Sequence, residues 1–135
     1  PEEYDNVHIL QHTGGGIAPW NISQYRFART NDEISGIVRK NKEHFNVVFF
    51  HFQYVKLLEN GLVDTGWYPI PRKIRRLFYF PYLEKISKTE KMLVQTFPDY
   101  RTGYTGTTTG SFKAALKYLF KKLSYYNILR FPDAG

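Results

Sequence analysis

One apolar segment limits the fold of this chain more than any other, Asn46–Tyr54, which reads NVVFFHFQY. It is rich in β-branched and aromatic residues, which favour strands. Its near-continuous apolar character is typical of a strand that is buried on both faces of a sheet. The sequence therefore predicts a central strand near residues 46–54.

Shorter strand patterns precede this segment. Val7–Gln11 has the pattern of a short buried strand, and Tyr25–Arg29 alternates aromatic or small residues with arginine. Asp32–Lys42 is interpreted as a polar connector. A β-hairpin is predicted over Leu57–Val63, because Asn60-Gly61 is the signal for a two-residue type I′ turn.

Helical spacing replaces the strand patterns after residue 70. Pro71 suits a first helical turn, and apolar residues then recur at helical spacing until Pro81, which ends or kinks the helix. Leu83–Thr96 can continue helically. Because strands precede helices, the predicted fold class is α+β, with a short mixed sheet.

A last, basic helix is predicted over Phe112–Tyr126, after a Gly/Thr-rich loop that ends at the plausible N-cap Ser111. The loop lacks the Gly-Lys-Ser/Thr ending of a P-loop, so a connecting role is favoured over phosphate binding. The helix has an apolar stripe of Phe112, Leu116, Leu119, Phe120 and Leu123. Four lysines are expected opposite that stripe: Lys113, Lys117, Lys121 and Lys122.

Composition narrows the class of protein. With 135 residues, of which 42% are hydrophobic, one core is expected and so one domain over residues 1–135. The sequence has no cysteine, which excludes disulfides and thiolate metal sites and fits a reducing cytoplasm. No apolar run or signal-peptide pattern indicates membrane insertion or export. The opening PEEYDN, without an initiator Met, suggests a domain cut from a longer polypeptide.

The formal net charge of +7 at pH 7 predicts attraction to anionic partners. Basic residues cluster in Arg72–Arg76 and in Lys113–Lys122. A solvated helix face is the most common role of such clusters, followed here by docking on an anionic membrane surface, with nucleic acid least favoured.

Two features suggest chemistry. His51 interrupts an apolar segment, where its ring must find a partner: it is either a hydrogen-bonded core histidine or a metal ligand. The loop His12–Tyr25 places three glycines before a rigid Ala-Pro-Trp-Asn run, which suits close approach of another group. No HExxH motif, serine triad or carboxylate pair appears, so the catalytic residues are unknown.

Three segments then occur in an informative order: HILQHTGGGIAPWNI, VVFFHFQYVKLLENGLVDTGWY and RRLFYFPYLEKI. Together they resemble the C-terminal part of bacterial glycosyltransferases of the GT-A, nucleotide-sugar type. That family has a His-Pro-Gly-x-(Asn/Gly)-x-Ala-Pro-Trp-Asn loop, a Phe-(Phe/Tyr)-His-Phe strand and an Asn-Gly-x-Val-Asp-x-Gly hairpin. The resemblance covers about residues 5–86, and the basic region 102–135 lies outside it.

The resemblance implies a site. His51 matches the histidine that lies beside a divalent metal, Mn²⁺ or Mg²⁺, and the nucleotide diphosphate. The glycine loop matches a wall of the donor or acceptor site, where Trp20 can stack on a sugar and Asn21 can bond to hydroxyls. The alternative for Trp20 is a core residue behind a tight turn. The matching loop residues are Gly14, Gly15, Gly16, Ala18, Pro19, Trp20 and Asn21.

The implied activity is transfer of a sugar from a nucleoside diphosphate sugar to a glycan or glycoconjugate acceptor, in the assembly of a surface polysaccharide. Two departures matter: Thr13 and Gly16 stand where the family often has proline and asparagine. The Asp-x-Asp metal motif and the nucleotide-binding half have no counterpart in the 135 residues. The competing hypothesis is a noncatalytic basic module that binds anionic membrane or nucleic acid.

Overall fold

The computed structural model describes residues 11–101, 103–106, 112–125 and 127–131. Contacts divide the chain into two compact units, Pro1–His51 and Phe52–Gly135. Both units contain an antiparallel sheet, and the second also contains the long helix. The predicted α+β class is confirmed. The single domain expected from the chain length stays a prediction.

The first unit is built on a three-stranded antiparallel sheet in the order β1-β2-β3. Strand β1 is Tyr25–Thr30, which confirms the strand predicted there. Strand β2 is Glu33–Val38 and strand β3 is His44–Asn46.

Strand β2 corrects the expectation of a polar connector over 32–42. Gly36 lies between Phe27 and Phe45 in the sheet register, and a Cβ on Gly36 would stand 2.2 Å from the Phe45 ring. The glycine leaves room for the two aromatic rings, which are 3% and 7% exposed. The strand therefore fits between its two neighbours because it carries a glycine at this position.

The expected central strand near residues 46–54 is wrong. Regular pairing ends at Asn46, residues 47–49 are irregular, and Phe50 makes only an isolated parallel bridge with Ile17. Val48 and Phe49 are 73% and 56% exposed, so the segment is not buried on both faces. The apolar composition predicts burial between two neighbouring strands. In the structure, the backbone of the segment instead bonds to the glycine loop. The predicted mixed sheet is also wrong for the described residues, whose two sheets are antiparallel.

The second unit contains a sheet in the order β4-β5-β6. Strands β4, Lys56–Leu57, and β5, Leu62–Asp64, form the predicted hairpin. Its turn differs from the predicted two-residue type I′ turn. The Gly61 N–H donates to the Leu58 carbonyl and the Leu58 N–H donates to the Leu62 carbonyl, which leaves three residues in the connection. Gly61 takes the positive φ of 72° that ends such a turn.

Strand β6, Ile128–Arg130, has no counterpart among the predicted elements and pairs antiparallel with β5. The residue before it, Asn127, is 0% exposed. Its Nδ2 donates to the carbonyls of Gly66 and Tyr68 at 2.9 and 2.7 Å, and its own carbonyl accepts from the N–H and hydroxyl of Thr65. Asn127 thereby fixes the turn that leaves β5.

The long helical segment is continuous through Pro81. A short helix α1, Arg72–Ile74, leads into a π-helical turn, Arg75–Tyr79, and then into helix α2, Phe80–Thr96. Proline has no N–H to donate within a helix, and the π turn directly before it accommodates this local break. Tyr79 and Leu83 are 0% exposed and form the centre of the unit's core.

Helix α3, Phe112–Phe120, continues into a π-helical turn, Lys121–Tyr125. The expectation of four solvated lysines is wrong for Lys121, which is 8% exposed. Its ammonium group pairs with Asp64 at 2.6 Å and lies 4.3 Å from the centre of the Trp67 ring. The predicted N-cap Ser111 and the predicted strand residues 7–10 lie outside the described residues.

We predict that Asn127→Ala lowers the free energy of unfolding by about 2 to 4 kcal/mol, because the buried Gly66 carbonyl and the part-buried Tyr68 carbonyl lose their donor. Asn41→Ala, a change at an exposed asparagine, is the control and should stay within about 0.5 kcal/mol. Urea denaturation followed by circular dichroism measures both. Equal effects of the two substitutions would show that Asn127 does not stabilise the fold in this way.

Candidate functional site

The two regions that the resemblance implies to form one site meet in the first unit. The Gly14 carbonyl accepts hydrogen bonds from the N–H groups of Val48 and Phe49 at 2.9 and 3.0 Å. The His51 N–H donates to the Ile17 carbonyl at 2.8 Å. These backbone bonds join the glycine loop to the segment that carries His51.

Gly14 is required where the loop passes β3. It lies in a 3₁₀ turn, Thr13–Gly15, whose N-cap His12 accepts the Gly14 N–H on its Nδ1. A Cβ on Gly14 would stand 1.8 Å from the Asn46 carbonyl oxygen. Gly16 has nothing within 4 Å of the corresponding position. The missing side chain of Gly14 therefore allows the loop to pack against Asn46. Gly16 makes no such contact and leaves the surface open.

Asn21 holds the rigid part of the loop in shape. Its Oδ1 accepts the Ala18 N–H at 2.9 Å, and its Nδ2 donates to the Gly16 carbonyl at 2.8 Å. The Asn21 N–H also donates to the Ala18 carbonyl. The amide therefore has a structural role in the loop. A contact of Asn21 with a sugar hydroxyl stays a prediction.

An exposed aromatic patch, formed by Trp20, Phe49 and His51, results from this arrangement. The centres of the Trp20 and His51 rings are 5.5 Å apart and meet edge to face at 72°. The Phe49 and His51 rings are 6.2 Å apart. Trp20 is 48% exposed and His51 is also exposed. Because both rings are exposed, the alternatives in which His51 or Trp20 is a core residue do not fit the structure.

The remaining predicted site residues are less accessible. Ala18, Pro19 and Gly14 are buried, whereas Gly15 is partly exposed. Pro19 therefore sets the course of the loop beneath Trp20. Among the predicted loop residues, Trp20 and Gly16 face solvent most openly.

A complete metal site is not formed by the described residues, among which no group of three histidine, cysteine or acidic side chains lies close enough to hold an ion. His12 is engaged as a helix cap, and His44 is on strand β3. At the aromatic patch, the donor available to a metal is the His51 imidazole. The predicted divalent metal stays a prediction, because its carboxylate ligands are absent from this patch.

The second unit contains a cavity of about 380 Å³ between α2 and the residues Tyr100, Gly103 and Tyr104, which sequence reasoning missed. Tyr82, Lys85 and Tyr104 are among the residues that line it. The Tyr104 hydroxyl donates to Glu90 at 2.5 Å. Burial, followed by this hydrogen bond and the Glu90 charge, raises the pKa of Tyr104 to about 12. The one feature of the sequence that could have indicated this cavity is the aromatic residue Tyr104 within a Gly/Thr-rich loop.

Comparison with known proteins gives limited information. No family model matches the chain. No solved structure matches it. The chain is similar to the uncharacterized protein YfnD of Bacillus subtilis strain 168, with 22% identity over 106 residues. The match covers 77% of this chain and 32% of YfnD, so the chain spans about a third of the length of that relative.

We predict that Gly14→Ala lowers the free energy of unfolding by about 2 kcal/mol or more, because the new methyl group collides with a backbone carbonyl. Gly16→Ala is the matched control in the same loop, where the methyl group has open space. It should leave stability unchanged or raise it by about 0.5 kcal/mol. Thermal and urea unfolding distinguish the two variants, and similar losses in both would contradict the observed loop packing.

Proposed function

We propose that the chain is the C-terminal portion of a metal-dependent glycosyltransferase of the GT-A type. The observation that supports this most strongly is the aromatic patch, where Trp20 and His51 lie 5.5 Å apart although 31 positions separate them in the sequence. The resemblance implies that both residues belong to one site. The substrates would be a nucleoside diphosphate sugar and a glycan or glycoconjugate acceptor.

The patch has the chemistry that sugar binding needs. An exposed indole offers a flat apolar surface on which the C–H face of a sugar ring can stack, and its N–H is a hydrogen-bond donor. Gly16 lies near it in the chain without side-chain obstruction, so a ligand can approach the backbone there. The loop beneath is held by Asn21 and by the buried Pro19, which limits reorganisation on binding.

His51 would supply one imidazole ligand to Mn²⁺ or Mg²⁺, with carboxylate ligands contributed by residues beyond those described. A metal bound there would neutralise the charge of the leaving diphosphate. The role of the chain itself is to hold the imidazole at the surface, through the bond from the His51 N–H to Ile17 and the contacts of its ring with the two aromatic rings.

We also propose that these ligands lie in an N-terminal half of a longer, cytoplasmic protein that assembles a surface polysaccharide. The similarity to YfnD, which is about three times as long as the matched part, supports a longer protein. Reading the gene upstream of Pro1 tests this directly. A strand that ends in Asp-x-Asp supports the proposal, and a start codon just before Pro1 contradicts it.

A second candidate is a noncatalytic module that binds an anionic membrane surface or nucleic acid through exposed basic residues. Arg72, Lys73 and Arg76 are exposed on α1 and the following π turn, which favours this candidate. Such binding would survive removal of metal and would weaken steeply with salt. Binding that needs metal and changes little with salt would favour the transferase.

We predict that His51→Ala weakens Mn²⁺-dependent binding of uridine diphosphate at least about tenfold, because even groups that only orient metal ligands contribute about 10- to 100-fold to affinity. Isothermal titration calorimetry of the protein expressed from its complete reading frame measures this. His44→Ala removes another exposed imidazole of the same unit and is the control. Unchanged binding in His51→Ala, or an equal loss in His44→Ala, would refute the assigned role.

A further inference from the structure

Helix α3 has its apolar side turned away from the unit that carries it. Phe112 is 84% exposed, Leu116 57%, Leu119 49% and Leu123 63%. None of the residues of α3 is buried. An amphipathic helix of a globular domain normally packs such a stripe against the core. In α3 the stripe faces solvent instead.

The anchoring of Lys121 explains the orientation. Helical residues advance by about 100° each, which places Lys121 about 140° around the axis from Leu116 and about 160° from Leu119. Lys121 is the residue held by Asp64, at 2.6 Å, against the ring of Trp67. Because the side opposite the stripe is fixed to the unit, the stripe must point to solvent.

The charges around the stripe are all positive. No acidic residue occurs between Phe112 and Tyr125. At the same helical spacing, Lys113 lies about 60° from Leu116 on one side. Lys122, in the π-helical turn, follows Leu119 by three residues on the other side. Both lysines are exposed. An apolar strip with cationic edges complements a bilayer whose acyl region lies below anionic headgroups.

We propose that α3 docks the protein in the plane of an anionic membrane, with the stripe Phe112, Leu116, Leu119 and Leu123 inserted among the lipid headgroups. The docking is peripheral: no helix in residues 11–101, 103–106, 112–125 and 127–131 is long and apolar enough to cross the bilayer. This inference is independent of the transferase proposal, because it uses no residue of the aromatic patch.

Other occupants of this surface fit less well. A stable dimer needs about 800 Å² on each partner, which is more than one short helix face offers, and two copies would bring their lysines together. Single-stranded nucleic acid binds through cations and stacked aromatic rings, whereas Leu116, Leu119 and Leu123 have no ring for a base.

Flotation with vesicles tests the proposal on the 135-residue chain. We expect binding to vesicles of equal parts phosphatidylglycerol and phosphatidylcholine, much weaker binding to phosphatidylcholine alone, and a loss of binding as salt is raised. Leu116→Ser combined with Leu119→Ser should lower the partition coefficient at least about tenfold. Met92→Ser combined with Val94→Ser, at exposed apolar residues of α2, is the matched control and should have little effect.

The cationic edges are tested separately. Lys113→Gln combined with Lys122→Gln should weaken binding to the anionic vesicles about tenfold or more. The control is Lys40→Gln combined with Lys85→Gln, which removes the same charge from exposed positions elsewhere. Equal losses in the two charge variants would overturn the proposal, since net charge alone would then drive the binding.

A direct probe changes a single residue at a time and leaves the lysines in place. Because the chain has no cysteine, Leu119→Cys and Val94→Cys can each be labelled with an environment-sensitive dye. We expect a blue shift on anionic vesicles at position 119 and none at 94. Absence of the shift at 119, binding of single-stranded RNA without binding of vesicles, or a dimer dispersed by the leucine substitutions would each overturn the proposal.

Discussion

The candidate site depends on backbone hydrogen bonds between a glycine loop and an irregular apolar segment. The Gly14 carbonyl receives two N–H groups from residues 48 and 49, and the His51 N–H reaches the Ile17 carbonyl at 2.8 Å. Ile17 is 0% exposed, so its side chain packs in the core beneath this junction. A regular pair of strands would also provide hydrogen-bond partners for these backbone N–H and C=O groups. Here the irregular path also brings Trp20 and His51 to the surface.

This arrangement separates structural from chemical roles within one loop. Gly14, Pro19 and Asn21 maintain its shape, through close packing, burial and a doubly bonded amide respectively. Trp20 and His51 keep exposed rings, whose apolar faces cost free energy in water. Exposed apolar patches of this kind occur at ligand-binding surfaces. The second unit also exposes apolar side chains from a fixed element. In α3, the ion pair between Lys121 and Asp64 turns the apolar face of the helix toward solvent.

Local patterns predicted the elements whose partners are near in sequence. Strand β1, the hairpin and helix α2 followed from alternation, turn residues and helical period. The segment 46–54 could not be predicted this way, because composition does not reveal that its partner is a loop 30 residues earlier. Likewise, β6 depends on pairing with β5 across more than 60 positions, and a three-residue pattern indicates nothing by itself. The adjacency of Trp20 and His51 was available only through the resemblance, since no spacing rule links them.

The central claim is that His51 presents its imidazole to a metal beside Trp20. Paramagnetic broadening by Mn²⁺ tests it most directly, in the protein expressed from its complete reading frame and in the presence of uridine diphosphate. The account predicts that the ring signals of His51 and the indole signals of Trp20 broaden at low Mn²⁺, while those of His12 and His44 stay sharp. Equal broadening of His12, His44 and His51, or none at His51, would contradict it.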